Sequence, residues 1–207
     1  EYIRIAKKEA TKENNIWVLI TGRLVSASCY FLKGDTKKCI RQLREFLKKR
    51  SEIQIGVNLY PYLFSLLWQM ELGKLPKIKG YSLKQEVDRS VKIQNIFMKG
   101  IAYRYQALLL KREDAPIEEV RESLNRSLEC LTESGHQFEL AETNMELARL
   151  QLLADDRKGA WELTHKASKM LSPYNDRLLP DDLRGIIEIQ PINEQLLDEI
   201  LSLGQQI

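Results

Sequence analysis

The sequence predicts an all-α protein built from stacked helical hairpins, and three observations support this fold class. First, the segment FLKGDTKKCIRQLREFL near the start is similar to LLADDRKGAWELTHKAS near the end. Second, apolar residues recur at three- and four-residue steps along most of the chain, the period of helices with one buried face. Third, small or core residues recur at spacings of 12 and 7, in the sets Ala27, Cys39, Phe46 and Ala148, Ala160, Ala167. Such self-similarity indicates hairpins that stack to bury their apolar faces.

A third copy of the spacing lies between these two. Ala107, Val120 and Ser127 are 13 and 7 residues apart, and the extra residue falls in the loop KREDAPIEE. Small side chains are needed where two helices cross closely, because a bulky one would push the helices apart. We therefore predict a superhelix of about four antiparallel hairpins, in which each hairpin packs on the next in the same way.

The first hairpin is predicted from residues 15 to 49. Apolar residues at helical spacing favour a helix over residues 15–32, Gly34 and Asp35 separate it from the next, and a second helix follows over residues 36–49. Before this hairpin, residues 2–11 form a partial helix, which we interpret as the second half of an earlier hairpin. We accordingly expect the chain to be part of a longer protein.

Three further hairpins are predicted downstream. The second begins near residue 53, with Pro61 kinking or starting its first helix, turns at Gly73 and resumes over residues 82–94. The third starts near residue 96, and Pro116 is placed in the first turn of its second helix, where proline is tolerated. The fourth occupies residues 137–153 and 157–171.

The predicted domain organisation is a repeat domain over residues 1–174, followed by a connector and the start of a signalling helix over residues 175–207. The connector is rich in Pro and Asp and poorly periodic. The closing linker helix begins near residue 192 and carries apolar residues at steps of 4, 3 and 4, the spacing of a coiled-coil seam. The residues in that seam are Leu196, Ile200, Leu203 and Ile207.

Composition excludes several classes of protein. Hydrophobic residues make up 43% of the chain and charged residues 29%, which is typical of a folded domain and not of a disordered one. The longest apolar stretches are interrupted before they reach the ~20 residues of a membrane span. Three distant cysteines, Cys29, Cys39 and Cys130, lie on apolar helix faces, which favours reduced thiols and a cytoplasmic location.

The hairpins resemble tetratricopeptide repeats (TPR) over residues 1–174. Small residues occupy the family's positions in the first helices, at Ala27, Ala107 and Ala148, and in the second helices, at Cys39, Val120 and Ala160. The chain departs from the family in a repeat length of about 40 instead of ~34, in Leu66 where alanine is expected, and in the absence of the family's proline.

Longer repeats of this kind, followed by a tail such as LLPDDLRGIIE and NEQLLDEILSLGQQI, look like the TPR region of multidomain bacterial signalling proteins that continues into a GAF domain. The resemblance implies a non-catalytic protein-interaction or regulatory module of a transcriptional regulator or kinase. Its partner would be a protein, a peptide or an adjacent domain of its own chain. A freestanding peptide-binding adaptor and a sensor for a small hydrophobic ligand are the alternatives.

In this family the first helices line a concave groove that binds the partner. Carried over to this sequence, the resemblance predicts a partner-binding groove that includes Arg104, Lys111, Arg149, Met145, Leu67 and Trp68. We predict that the three cations meet an acidic group, since guanidinium suits carboxylates, with solvated surface or local ion pairs as the alternative.

Two further patterns bear on the partner. Trp68, in an aromatic run with helical spacing, is predicted either to fill the core or to line a pocket for a hydrophobic ligand. The asparagines with which chaperone-binding members grip a terminal carboxylate are absent, because those positions would hold Ser28, Leu67, Leu108 and Arg149.

No catalytic or metal site and no cofactor is predicted. His136 and His165 have no Cys or carboxylate at ligand spacing, and the glycines are isolated instead of forming a phosphate loop. Charge is unevenly spread, with eight basic and two acidic residues over residues 33–50, and ten acidic and two basic over residues 113–146. We expect the basic helix to be an ordinary outer face with no role in binding nucleic acid, and we predict a homodimer in which the two regions pair between copies.

Overall fold

A computed structural model describes residues 2–13, 15–52 and 61–175, and within these ranges the chain forms nine α-helices and no strand. The prediction of an all-α fold is therefore confirmed at this level. The helices are α1 (Tyr2–Lys12), α2 (Ile16–Leu32), α3 (Thr36–Glu52), α4 (Pro61–Glu71), α5 (Leu83–Ser90), α6 (Ile96–Arg112), α7 (Ile117–Ser134), α8 (Gln137–Leu153) and α9 (Arg157–Asn175).

The chain divides into two compact units, Glu1–Glu86 and Val87–Ile207, called unit 1 and unit 2 below. The connector and the closing helix predicted for residues 175–207 lie, from residue 176 onward, outside the described residues. The start of the second predicted hairpin, residues 53–60, also lies outside them.

In unit 1, α2 packs against α1, α3 and α4. Its start is capped by Asn15, whose side-chain oxygen accepts a hydrogen bond from the Val18 backbone N–H at 3.2 Å. At its end Gly34 adopts a left-handed backbone with φ of +73°, and Asp35 then accepts from the Lys38 backbone N–H at 3.0 Å to begin α3. The turn predicted at these two residues is therefore present.

Within unit 1, a buried ion pair joins α3 to Glu86 in the first half of α5. The two guanidinium nitrogens of Arg50 donate to the two carboxylate oxygens of Glu86 at 3.1 and 2.9 Å. Both side chains are less than a tenth exposed. This fork-to-fork geometry constrains the direction of the two side chains as well as the distance between them.

In unit 2, α6 packs on α7, α7 on α8, and α8 on α9. One apolar cluster joins the first three of these helices through Ala107, Val120, Leu124, Leu147 and Leu150. A second cluster joins α8 to α9 through Ala141, Met145, Ala167 and Leu171. Each helix thus buries its apolar residues against its neighbours in sequence, which is the local packing that the repeat predicted.

The residues whose spacing identified the repeat are all buried. Each of the nine is at most 3% exposed: Ala27, Cys39, Phe46, Ala107, Val120, Ser127, Ala148, Ala160 and Ala167. A further small residue, Gly100 of α6, lies so close to α7 that an added Cβ would come within 2.6 Å of the Leu131 Cγ. Undersized side chains therefore occupy buried positions where helices meet.

The structure differs from the predicted boundaries at three places. The helix α5 ends at Ser90 and does not reach residue 94. Asn95 caps α6, because its side-chain oxygen accepts a hydrogen bond from the Met98 backbone N–H at 3.0 Å, and the extended backbone of Asn95 cannot continue a helix. Pro116 takes the cap position of α7 and not its first turn. The helices α3 and α9 continue beyond the predicted residues 49 and 171, to Glu52 and Asn175.

Candidate partner-binding surface

The helix α8 is buried over most of its circumference. It lies against α7 and α9 and is also contacted by Arg104 of α6, and buried residues occupy nine of its seventeen positions, whereas α7 has five in eighteen. Those of α7 form one stripe: Val120, Ser123, Leu124, Ser127 and Leu131. A helix packed on two sides has little surface left for solvent, so the residues that remain accessible on α8 define a narrow strip.

We call this strip the α8 stripe, and it consists of Phe138, Glu142, Glu146, Arg149 and Leu153. These residues follow one another at steps of 4, 4, 3 and 4, so they lie on one helix face. The first four are partly exposed, and Leu153 is 63% exposed. The stripe has apolar side chains at both ends and charged ones between them.

Arg104 of α6 is buried against α8. One guanidinium nitrogen, Nη2, lies 2.6 Å from Glu139 Oε2 and 2.5 Å from Glu142 Oε2, and Nη1 donates to the backbone carbonyl of Glu139 at 3.0 Å. Burial alone lowers the pKa of Arg104, but the carboxylates of Glu142 and Glu139 outweigh it and hold that pKa above its usual value. The side chain is 4% exposed, so the ion pairs that satisfy it lie inside the chain.

The other two predicted cations differ from Arg104 in exposure. Arg149 is partly exposed and forms an ion pair with Glu146 on its own helix, with 2.5 Å between Nη1 and Oε1. Lys111 lies in the last turn of α6 and is exposed. Arg104 and Arg149 thus form local ion pairs, which was the alternative to a contact with an acidic partner group.

The remaining predicted site residues are apolar. Met145 is fully buried in the cluster between α8 and α9, and Leu67 of α4 is 2% exposed, so both contribute to the core of their units. Trp68 of α4 is partly exposed. Leu67 and Trp68 belong to unit 1 and the other four predicted residues to unit 2, and each set is therefore considered within its own unit.

The acidic residues Glu139, Glu142 and Glu146 were not singled out from the sequence. A pattern that indicates them is nevertheless present, since three carboxylates at spacings of 3 and 4 lie among the apolar residues of one helix. Charges in such a helix require partners, because an unpaired buried charge is costly. Their partners come from α6 and α8, at Arg104 and Arg149.

The described residues also bear on metal binding and on membrane insertion. They contain no group of three or more His, Cys, Asp or Glu side chains that could hold a metal ion. None of the helices in the same part of the chain combines the length and the apolar character needed to cross a bilayer.

No protein-family model matches this chain, and no curated protein or solved structure matches it either. The function is therefore argued from the arrangement of the residues themselves.

Proposed function

We propose that the chain is a TPR-like protein-interaction module, without catalytic chemistry of its own, that binds a protein or peptide along the α8 stripe. The observation that carries this proposal is the contrast between the two sides of α8. Its packed sides carry mostly small and apolar residues, while the remaining face presents two carboxylates and one guanidinium flanked by Phe138 and Leu153. A rigid helix with a mixed apolar and charged strip is well suited to hold an extended or helical peptide.

The buried ion pairs support this role. Arg104 connects α6 to Glu139 and Glu142 of α8, so the two first helices of successive hairpins are held at a fixed register. A binding strip is more precise when the helix that bears it cannot rotate, because the partner's contacts then need no rearrangement. Arg104 is accordingly a positioning residue in this proposal, and Arg149, Lys111 and the stripe carboxylates are the groups that meet the partner.

The cellular context is proposed on the resemblance of the repeats and the tail. A TPR-like region placed ahead of a GAF domain would transmit partner binding to an effector domain in a cytoplasmic regulator of transcription or phosphotransfer. The departure from the chaperone-binding pattern favours this context over that of a chaperone adaptor. The small hydrophobic ligand remains a prediction that involves Trp68 and not the α8 stripe.

The proposal is tested by crosslinking followed by affinity measurement. A photoreactive amino acid at position 149 should capture one predominant protein in the native host, and the same group at the exposed position 166 of α9 should not. With that protein purified, Arg149→Ala combined with Leu153→Ala should weaken binding at least tenfold. The control variant, Lys158→Ala combined with Lys166→Ala, changes exposed residues outside the stripe and should bind as the wild type does. Equal affinity of the two double variants would reject the α8 stripe as the binding surface.

A further inference from the structure

The outer face of α3 carries a row of cations that we call the basic stripe: Lys37, Arg41, Arg44 and Lys48. They follow at steps of 4, 3 and 4, all four are exposed, and the buried residues Cys39, Leu43 and Phe46 occupy the other side of the helix. Among the described residues, no carboxylate forms an ion pair with Lys37, Arg41 or Arg44, whereas Lys48 lies 3.9 Å from Glu52. Three neighbouring cations of the stripe therefore form no ion pair within the described part of the chain.

The outer face of α7 carries mainly the opposite charge, with four carboxylates at steps of 4, 7 and 4 and the exposed Arg126 between the second and the third. Its acidic stripe consists of Glu118, Glu122, Glu129 and Glu133, which are all exposed and lie opposite the buried Val120, Leu124 and Ser127. Glu122 forms an ion pair with Arg126. Within the described ranges the other three carboxylates of the stripe form no ion pair.

The two stripes are similar in length. At 1.5 Å per residue, the basic stripe extends for ~16 Å and the acidic stripe for ~22 Å along their helix axes. The basic stripe is a continuous row of side chains three and four residues apart, and in the acidic stripe the pairs Glu118–Glu122 and Glu129–Glu133 lie on either side of Arg126, so two such helices laid side by side bring cations close to carboxylates. Opposite charges arranged in rows give both attraction and register, while like charges repel.

We propose that the basic stripe of one copy of this chain binds the acidic stripe of a second copy. Each copy carries both stripes, so either copy can supply the cations or the carboxylates of the contact. The contact consists of exposed charges, which salt screens within a Debye length of about 8 Å at physiological ionic strength. Association is therefore weak and sensitive to salt. This inference uses the outer faces of α3 and α7 and does not depend on the proposed function of the α8 stripe.

The test uses sedimentation velocity of the whole chain at low and high salt. Between about 50 and 500 mM salt the Debye length falls severalfold, so the wild type should sediment as a dimer at the lower concentration and as a monomer at the higher. Two charge-reversal variants follow from the stripes. One carries Arg41→Glu and Arg44→Glu, and the other carries Glu118→Lys and Glu129→Lys. Each alone should remain monomeric at low salt, since its substituted stripe then carries equal numbers of positive and negative charges and no longer attracts the other stripe.

Mixing the two variants is the decisive measurement. In the mixture the unchanged acidic stripe of the first variant can bind the unchanged basic stripe of the second, so an equimolar mixture should form the dimer again. A matched control, Lys158→Glu with Lys166→Glu, makes the same change in net charge as the first variant, at exposed positions of α9, and should dimerise as the wild type does. All substituted residues are exposed, and circular dichroism should show unchanged helix content.

Three outcomes would overturn the proposal. The wild type could remain monomeric at low salt, a reversed variant could dimerise by itself, or the mixture could fail to associate. If the wild type remains monomeric and instead binds a DNA duplex, with that affinity lost in Arg41→Glu, Arg44→Glu, then the basic stripe is a nucleic-acid surface and not a contact between copies.

Discussion

Replacing Arg104 by methionine should destabilise unit 2 strongly, because the substitution leaves Glu139 and Glu142 without their cation. Glu139 is 7% exposed, so its charge has little access to water once the guanidinium is removed. Its backbone carbonyl also loses the hydrogen bond that Arg104 donates. Removing one partner of a buried ion pair costs about 3–5 kcal/mol, a large share of the ~5–15 kcal/mol that stabilises a typical domain.

A matched substitution isolates the contribution of burial. Arg126 of α7 also forms an ion pair, with 2.5 Å between its Nη2 and the Oε1 of Glu122, but its side chain is 53% exposed. Arg126→Met should therefore change the free energy of unfolding by less than ~1 kcal/mol. Both variants remove a guanidinium from an ion pair with a similar N–O distance, so a difference between their free energies of unfolding reports the effect of burying the charges.

A second variant tests the stated cause. Arg104→Met combined with Glu139→Gln and Glu142→Gln removes the stranded charges together with the cation, and it should recover most of the lost stability. Urea unfolding followed by circular dichroism measures all of these free energies, with the transition of unit 2 analysed separately if the two units unfold apart. Equal costs for Arg104→Met and Arg126→Met, or no recovery in the triple variant, would refute the reasoning.

Two further predictions concern close packing and a buried thiol. Gly100→Ala should lower the unfolding free energy by about 1–3 kcal/mol, since the new Cβ would meet Leu131 at 2.6 Å. Gly22→Ala should be near neutral, because its nearest neighbour is the flexible end of Lys7. Calorimetry compares the stabilities of the two variants. Burial raises the pKa of Cys39 to about 11 from its ordinary 9.0, so the unfolded thiol ionises first and the associated stability is lost as pH rises from 9 toward 11. Between pH 9 and pH 11 the unfolding free energy should therefore decrease less in Cys39→Ala than in the wild type. An equal decrease in both would contradict the raised pKa of Cys39.

The helices of unit 2 were predictable from the sequence for a local reason. The signals that place α6 to α9 are apolar residues at three- and four-residue steps and small residues at fixed intervals, and both lie within one hairpin. The burial of Ala148 and Ala160, for example, follows from their spacing alone. The same period places the charges of α3 and α7 on their outer faces.

The role of Arg104 could not be predicted in the same way. The spacing of Arg104 relative to other groove positions indicates on which face of α6 it lies. Its burial, however, depends on how closely α8 approaches α6. Its partners, Glu139 and Glu142, lie 35 and 38 residues further along the chain. No periodic pattern specifies contacts at that separation. The ion pair between Arg50 and Glu86 is a second case, since its partners are 36 residues apart.

The early end of α5 was missed because two signals compete between residues 90 and 95. Helical periodicity continues to residue 94, but an extended Asn95 that caps the next helix requires the chain to leave the helix first. Capping geometry is decided by the backbone, so a cap within an apparently periodic run is difficult to identify from residue types alone.

The central claim is that undersized side chains at buried positions hold successive helices together. Its most direct test is the unfolding free energy of Ala107→Leu and Ala167→Leu, which enlarge one residue in each apolar cluster of unit 2, against Ala6→Leu on the exposed face of α1. We predict a loss of about 1–3 kcal/mol for each buried substitution and a change within ~0.5 kcal/mol for the exposed one. If leucine is tolerated equally well at all three positions, close packing through small residues does not stabilise this fold.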